Sequence, residues 1–161
     1  VVIGVLFANM LHYIDDVNAA DQAVKICRIN VNTSARNIRE MALNNDTSAY
    51  DSYEQNVKKL LTEVDSQLEI LKKTKVLPDE EYNEYASALS DWGNIGYSII
   101  EEIKNGEKEK AIDEIFNSCT PALNKLVEIA IRLDEITDEV SEQSARTTII
   151  FAVAGMVCII I

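Results

Sequence analysis

Four basic side chains near the start of the chain offer the chemistry most suited to binding an anion. Between Gln22 and Arg39 there is no Asp or Glu, although the whole chain has 27 acidic and 15 basic residues. The bases of this window are Lys25, Arg28, Arg36 and Arg39. Because a guanidinium holds a carboxylate through two parallel hydrogen bonds, the window predicts a binding surface for a small anionic ligand.

A second window without acidic residues, "IFNSCTPALNKLV" at 115–127, supplies an aromatic ring and a hydroxyl group. At about 1.5 Å per helical residue, Arg28 and Thr120 each lie roughly 20–24 Å from the distal turns of the predicted helices, so we expect the two windows at comparable depth. The spacing of four between successive polar residues of the first window predicts one ridge along its helix. The predicted ligand-binding set is Arg28, Asn32, Arg36, Phe116 and Thr120. Alternatively, the arginines pair with acidic side chains of neighbouring helices or of a second copy of the chain.

The chain lacks the residue sets that are typical of catalysis and of metal binding. Its one histidine, His12, has no cysteine or carboxylate at ligand spacing, and the sequence contains no HExxH motif and no glycine-rich phosphate loop. We therefore expect no enzyme activity, no metal and no cofactor. Cys27 and Cys119 fall on apolar stripes and are predicted to be buried thiols. The net charge of -12 disfavours nucleic acid as a partner, because no overall basic surface is available to neutralise phosphates.

The elements that must position these groups are helices. Apolar residues recur at alternating spacings of three and four through the middle of the chain, a pattern that indicates helices packed along apolar seams. Short segments of turn-forming residues separate four predicted helices, at about 15–43, 48–75, 78–105 and 107–146. Connections this short place consecutive helices antiparallel. The predicted fold is all-α, an antiparallel up-down-up-down four-helix bundle.

Pro121 lies well inside the fourth predicted helix. A proline there has no N–H to donate and its ring crowds the preceding turn. The sequence therefore predicts a kink or a bulge in the residues just before Pro121, which either exposes backbone groups to a ligand or is tolerated as strain.

Both ends of the chain are apolar, and both are predicted to belong to membrane-spanning helices. The apolar run at the C-terminal end is shorter than the 20 or so residues that a span requires. We therefore expect residues 1–14 to be the end of one transmembrane helix and the root of helix 1, residues 15–146 to be the bundle, and residues 147–161 to be the start of a second transmembrane helix. In this arrangement helices 1 and 4 extend from the bundle into the membrane.

Two stretches of the sequence resemble a known family. The stretches "NGEKEKAIDEIFNSCTPALNKLVEIAIRLDEI" (105–136) and "CRINVNTSARNIREMAL" (27–43) are similar to the fourth and first helices of the four-helix-bundle sensory domain of bacterial methyl-accepting chemotaxis proteins. The resemblance implies a homodimer on the extracytoplasmic side of the inner membrane, flanked by two membrane helices. It also implies that a ligand at the dimer seam of helices 1 and 4 signals through helix 4.

The resemblance also implies roles for individual residues. In amino-acid-binding members an arginine of helix 1 takes the ligand carboxylate, which corresponds to Arg28, and Asn32 would bond to the ligand one turn later. Phe116 would line the pocket, and Thr120 would supply hydroxyl and backbone contacts. Two alternatives stay open: the sensor of a histidine kinase or cyclase, and a ligand-free bundle that is structural or binds a protein partner.

Overall fold

The chain forms a helical bundle in a computed structural model. The structure describes the backbone of residues 2–160 and their side chains, except the side chains of residues 2, 3, 5–9, 12 and 151–160. The described part contains helices and no strand, which confirms the predicted all-α class. Its elements are α1 (Val2–Leu43), a 3-10 turn (Thr47–Ala49), α2 (Tyr50–Thr74), α3 (Asp79–Lys104), α4 (Lys108–Glu114), a π-helical turn (Ile115–Cys119) and α5 (Thr120–Ile160). We call α4, the π turn and α5 together the fourth helix, because they follow one another without a break.

Local sequence signals account for the ends of the helices. The Asp46 side chain accepts a hydrogen bond from the backbone N–H of Ser48 (3.0 Å) and so caps the turn that leads into α2. Pro78 directly precedes α3, and three acidic residues in the first turn of α3 suit the positive end of the helix dipole. Gly106 has φ +85°, a left-handed conformation that glycine adopts without strain, and it turns the chain from α3 into α4.

The core consists of the apolar stripes that the sequence pattern predicts. All four helices contribute buried side chains to one continuous cluster, and α1 contacts each of the other helices. Burial of a large apolar side chain contributes about 1.5–3 kcal/mol relative to leaving it exposed, so the cluster is the main source of stability. Its members include Val24, Cys27 and Ile38 of α1, Val57 and Val64 of α2, Trp92 and Ile99 of α3, and Leu126 and Leu133 of α5.

Three hydrogen bonds between side chains fix the register of α1 against α5. Residue numbers rise along α1 as they fall along α5, so the two helices run antiparallel where they touch. The pairs are Met10 with Thr148 (3.4 Å), Arg28 with Asp134 (3.0 Å) and Arg39 with Thr120 (3.2 Å). This register decides which groups of the two predicted windows meet.

The predicted membrane-spanning ends fall largely on side chains outside the described residues, namely those at 1–3, 5–9, 12 and 151–161. In the part of the chain that was searched, no helix combines the length and the apolar character that crossing a membrane requires.

Candidate functional site

The fourth helix widens into a π turn just before Pro121. The backbone N–H of Thr120 bonds to the carbonyl of Ile115, five residues back instead of the four of an α-helix. The Thr120 hydroxyl donates to the same carbonyl at 2.8 Å. The disturbance that Pro121 predicts is therefore confirmed as a bulge. Because Pro121 has no N–H and the Thr120 N–H is already used, the turn interrupts the regular ladder of backbone hydrogen bonds at this depth.

Arg39 of α1 binds to the end of this π turn. Its Nη2 donates to the Thr120 hydroxyl oxygen at 3.2 Å, and its side chain is half-buried. Burial raises the pKa of the Cys119 thiol, and the nearby positive charge of Arg39 opposes that rise. Phe116 lies in the same turn with 68% of its surface exposed. We call Arg39, Phe116, Thr120 and the backbone of the turn the π site.

A second polar contact lies lower on the same two helices. Arg28 Nη1 of α1 bonds to Asp134 Oδ2 of α5 at 3.0 Å, and the two groups form an ion pair. Burial raises the pKa of Asp134, while the charges of Arg28 and Lys25 lower it. Asn32 Nδ2 donates to the Arg28 carbonyl at 2.8 Å, so the amide is engaged with its own helix. We call Arg28, Asn32 and Asp134 the Arg28 site.

The space beside the Arg28 site is small. A cavity of about 10 Å³ lies against Arg28, Asn32 and Tyr85, with apolar side chains of α5 closing the other side. A volume of this size accommodates about one water molecule. An amino acid or dicarboxylate does not fit there within a single chain.

The predicted ligand-binding set is divided between these two levels. Arg28 lies opposite Asp134, with Asn32 one turn along α1, whereas Thr120 lies opposite Arg39, with Phe116 about one turn away in the fourth helix. The two levels are eleven residues apart along α1, or about 16 Å. The two windows do meet, at Arg39 and Thr120, but the expectation that Arg28 and Thr120 lie at comparable depth is wrong within one chain.

An offset between the helix ends explains the difference. Lys108, the first residue of α4, donates to the carbonyl of Asn44, just past the end of α1. Arg39 lies five residues before Asn44 in the sequence, whereas Thr120 lies twelve residues after Lys108. The fourth helix therefore starts beyond the end of α1 by about seven residues, or roughly 10 Å, part of which the long Lys108 side chain spans. An estimate that counts residues along both helices from one shared end of the bundle does not detect this offset.

Charge pairing differs among the four bases of the first window. Lys25 bonds to Asp21, Arg28 to Asp134, and Arg36 lies 3.7 Å from Glu40 on the solvent-exposed surface of α1. The predicted alternative, in which the arginines pair with acidic side chains of neighbouring helices, describes the Arg28–Asp134 contact, whereas Lys25 and Arg36 pair within α1 itself. Among the described side chains, Arg39 has no carboxylate within 4 Å, and its contact is the neutral Thr120 hydroxyl.

Arg39 belongs to the basic window but is absent from the predicted ligand-binding set. The second window supplies the sequence signal that identifies Arg39. Residues 115–127 include no Asp or Glu, so the base that lies opposite them, Arg39, has no carboxylate to pair with there. Arg28 instead lies opposite Asp134, which is outside the window.

The sulfur chemistry of the chain is that of buried thiols. Cys27 and Cys119 are both free and buried, which confirms the prediction for these two residues. Burial raises the pKa of Cys27 to about 12, so its thiol stays protonated at neutral pH. Across the side chains that the structure describes, no group of three or more His, Cys, Asp or Glu residues is placed to hold a metal ion.

Comparison with known proteins identifies one family. A family model described as a four helix bundle sensory module for signal transduction matches residues 13–149. No curated protein and no solved structure matches the chain. The match includes both the π site and the Arg28 site.

Proposed function

The chain belongs to the four-helix-bundle sensory modules of methyl-accepting chemotaxis proteins, and on that premise we propose that it is the extracytoplasmic sensory domain of a transmembrane chemoreceptor. Residues 15–146 would form an up-down-up-down bundle at the inner membrane, between spans that begin in residues 1–14 and 147–161. The antiparallel contact of α1 with α5 supports this connectivity.

We further propose that the ligand is a small carboxylate, such as an amino acid or a dicarboxylate, and that it binds at the π site. One observation carries this proposal: Arg39, alone among the bases of its window, has no carboxylate partner in the described part of the chain, and it lies at the only π turn described there. Its guanidinium would hold the ligand carboxylate. Phe116 would cover the ligand, and Thr120 would offer its hydroxyl group.

The proposed module is a homodimer. Ile29 of α1 is 62% exposed and lies on the same stripe as exposed Asn32, Arg36 and Leu43, spaced as successive turns of the helix. A second copy packed on this stripe would cover the apolar side chains. Light scattering on the chain and on Ile29→Arg tests this: a dimer that the substitution dissociates supports the proposal, and a monomeric parent chain contradicts it.

When both copies of a symmetric dimer are anchored in the same membrane, the same residue of each copy lies at the same distance from the membrane. Arg36 of the second copy would therefore lie within about 5 Å of the depth of Arg39, because three helical residues separate them. It would be close enough to contribute to a ligand site at the seam of helices 1 and 4. Arg28 and Asn32 would stay at the lower level, so a ligand held by them is the competing placement.

Signalling is proposed to pass through the fourth helix. From Thr120 the backbone is helical without interruption to Ile160, so a displacement at the π turn would move the helix that leads toward the membrane. A ligand shifts such an equilibrium only if it binds one arrangement better than the other. A π turn, with its irregular hydrogen bonding, offers a place where two arrangements of the helix can differ.

The experiment is a thermal-unfolding screen of the chain against the twenty amino acids, dicarboxylates of three to five carbons, and inorganic phosphate. A ligand at 100 times its Kd stabilises the folded state by about 2.7 kcal/mol. The screen is repeated on Arg39→Gln and on Arg28→Gln, which remove equal charge from the two levels of α1. We expect the stabilisation to be lost in Arg39→Gln and kept in Arg28→Gln.

The other outcomes are equally informative. Loss in Arg28→Gln alone would move the ligand to the predicted Arg28 site. If no compound stabilises the chain, a ligand-free bundle that binds a protein partner is favoured. The small cavity and the ion pair at the Arg28 site are the observations that favour this second function.

A further inference from the structure

A buried carboxylate near the end of α3 lacks part of its hydrogen bonding. Glu102 is only 6% exposed. Its Oε1 lies 2.9 Å from the Lys110 ammonium of α4, but its Oε2 is buried and has no partner among the described residues. A buried carboxylate oxygen without a donor is costly, so such an atom calls for an explanation.

Glu114, the last residue of α4, lies beside Glu102. Burial raises the pKa of Glu114, a hydrogen bond with the Glu102 carboxylate raises it further, and the charge of Lys110 opposes the rise. The Ser98 hydroxyl of α3 also opposes the rise in the pKa of Glu114. A carboxylic acid carries one O–H donor, so a proton on Glu114 supplies the donor that Glu102 lacks.

We propose that Glu102 and Glu114 form a proton-binding site that joins α3 to the fourth helix, so that the module responds to pH independently of any organic ligand. When the proton is bound, the O–H of Glu114 bonds to the Glu102 carboxylate. When it is released to solvent, two carboxylates face each other, and Lys110 supplies the one ammonium that bonds to Glu102 and acts on Glu114. The repulsion then weakens the contact of α4 with α3.

Among the described residues, Lys110 is the one cation that bonds to a carboxylate of the pair. On the turn before α4, Glu107 pairs with the same Lys110 that bonds to Glu102. On α1, Arg39 is engaged with the Thr120 hydroxyl, and on α2 and α3 the bases near this end pair with other acids. The latter pairs are Lys58 with Glu54, and Lys104 with Asp51 and Glu54. Within the described part of the chain, no side chain of α1 or α2 forms an ion pair or hydrogen bond with Glu102 or Glu114.

The proton site adjoins the π turn, and the chain carries a natural reporter there. Glu114 directly precedes Ile115, the first residue of the turn. Trp92, the one tryptophan of the chain, is fully buried and contacts Cys119 at the other end of the turn. A change in the contact of α4 with α3 should therefore alter the fluorescence of Trp92.

The test combines chemical unfolding with Trp92 emission of the 161-residue chain, from pH 4 to pH 8, on the parent and on two variants. Glu114→Gln carries an amide that donates to Glu102 at every pH, and Glu109→Gln removes an equal charge from an exposed position of the same helix. The pKa of Glu114 in the folded chain lies above its ordinary 4.5, so the proton stabilises the fold below pH 4.5 and this stability is lost as pH rises through the folded pKa.

We expect the folding constant of the parent to fall relative to Glu114→Gln as pH rises from 4.5 to the folded pKa of Glu114, by up to tenfold for each unit between them. Trp92 emission should titrate in the parent and in Glu109→Gln, and stay constant in Glu114→Gln. Parallel stability profiles and equal emission in the parent and Glu114→Gln would overturn the proposal. If the variants fail to fold, a side-chain carbon NMR titration of Glu114 in the parent decides instead: a pKa at or below 4.5 contradicts the site.

Discussion

Each of two polar contacts between α1 and α5 is made by an arginine of α1, but the partner groups differ. At the lower level, Arg28 meets Asp134, and its charge is balanced within the chain. At the upper level, Arg39 meets a neutral hydroxyl on a π turn. Both guanidiniums bridge the same pair of helices, so the difference comes from what the fourth helix places opposite each one.

The comparison indicates where an incoming anion would find a cation. An arginine that already has a carboxylate must give up that contact to bind a ligand, whereas one on a hydroxyl gives up a weaker neutral bond. The lower contact therefore suits a structural role, and the upper one suits recognition. The predictions below test this division, beginning with the largest expected effect.

Of the substitutions considered for the two levels, one in the core behind the π site should reduce the stability of the fold most. Trp92 is fully buried and lies against Cys119 of the π turn. Trp92→Ala should reduce the free energy of unfolding by about 3–5 kcal/mol, because it removes the largest core side chain and leaves a cavity. Urea unfolding followed by far-UV circular dichroism measures the loss.

Trp92→Phe is the matched control and should retain most of the stability. In Trp92→Ala, hydrogen exchange should increase first in the amides of residues 115–119. A loss of less than 1 kcal/mol, or opening confined to the lower level, would contradict the view that this packing holds the π turn.

The ion pair at the lower level should show a pH dependence of defined sign. The pKa of Asp134 is raised by burial, so this group stabilises the fold below its ordinary 3.8 and that stability is lost as pH rises through the folded pKa. Arg28 opposes the rise, so Arg28→Gln should increase the loss. Because the pair is partly exposed to water, we expect a cost of about 0.5–1 kcal/mol at pH 7 and none at pH 3.

Urea unfolding at both pH values measures this difference, with Arg28→Gln compared against the parent chain. A cost that is equal at pH 3 and pH 7 would mean that Arg28 acts through packing rather than through the charge of Asp134.

The hydroxyl at the upper level should contribute an amount typical of neutral hydrogen bonds. Thr120→Val keeps the shape of the side chain but removes the acceptor for Arg39 and the donor to Ile115. The expected cost is about 0.5–1.5 kcal/mol. Thr33→Val is the control, because the Thr33 hydroxyl bonds only to the Ile29 carbonyl of its own helix at an exposed position. Equal costs in thermal unfolding would show that the contact with Arg39 adds nothing.

Arg36 should matter least for stability. It lies on the exposed face of α1, 3.7 Å from Glu40 one turn away, and such pairs contribute about 0.3–0.5 kcal/mol. Arg36→Gln should therefore unfold at nearly the temperature of the parent chain in the absence of ligand. A loss above 1 kcal/mol would indicate that Arg36 has a partner in a second copy.

The sequence pattern predicts the helices and the core because both depend on local spacing. The apolar stripe of α1, from Val24 through Cys27 to Ile38, is buried as its periodicity predicts. The bulge before Pro121 is also a local property, since proline cannot donate to the preceding turn.

The grouping of the candidate binding residues could not be predicted in the same way. It depends on where α1 and the fourth helix start relative to each other, and this offset comes from the turn at Gly106 and from Lys108 reaching back to Asn44. Periodicity reports which face of a helix is buried but not its height against a neighbour. An offset of about seven residues, roughly 10 Å, is enough to place Thr120 opposite Arg39 rather than opposite Arg28.

The most direct test of the account asks which arginine a ligand touches. In the chain labelled with nitrogen-15 arginine, the Nε–H signals of Arg28 and Arg39 are followed while the most stabilising carboxylate of the screen is added. The account predicts that the Arg39 signal shifts with saturation and that the Arg28 signal, held by Asp134, stays in place. A saturating shift of Arg28 with Arg39 unchanged would contradict it and would place recognition at the lower level.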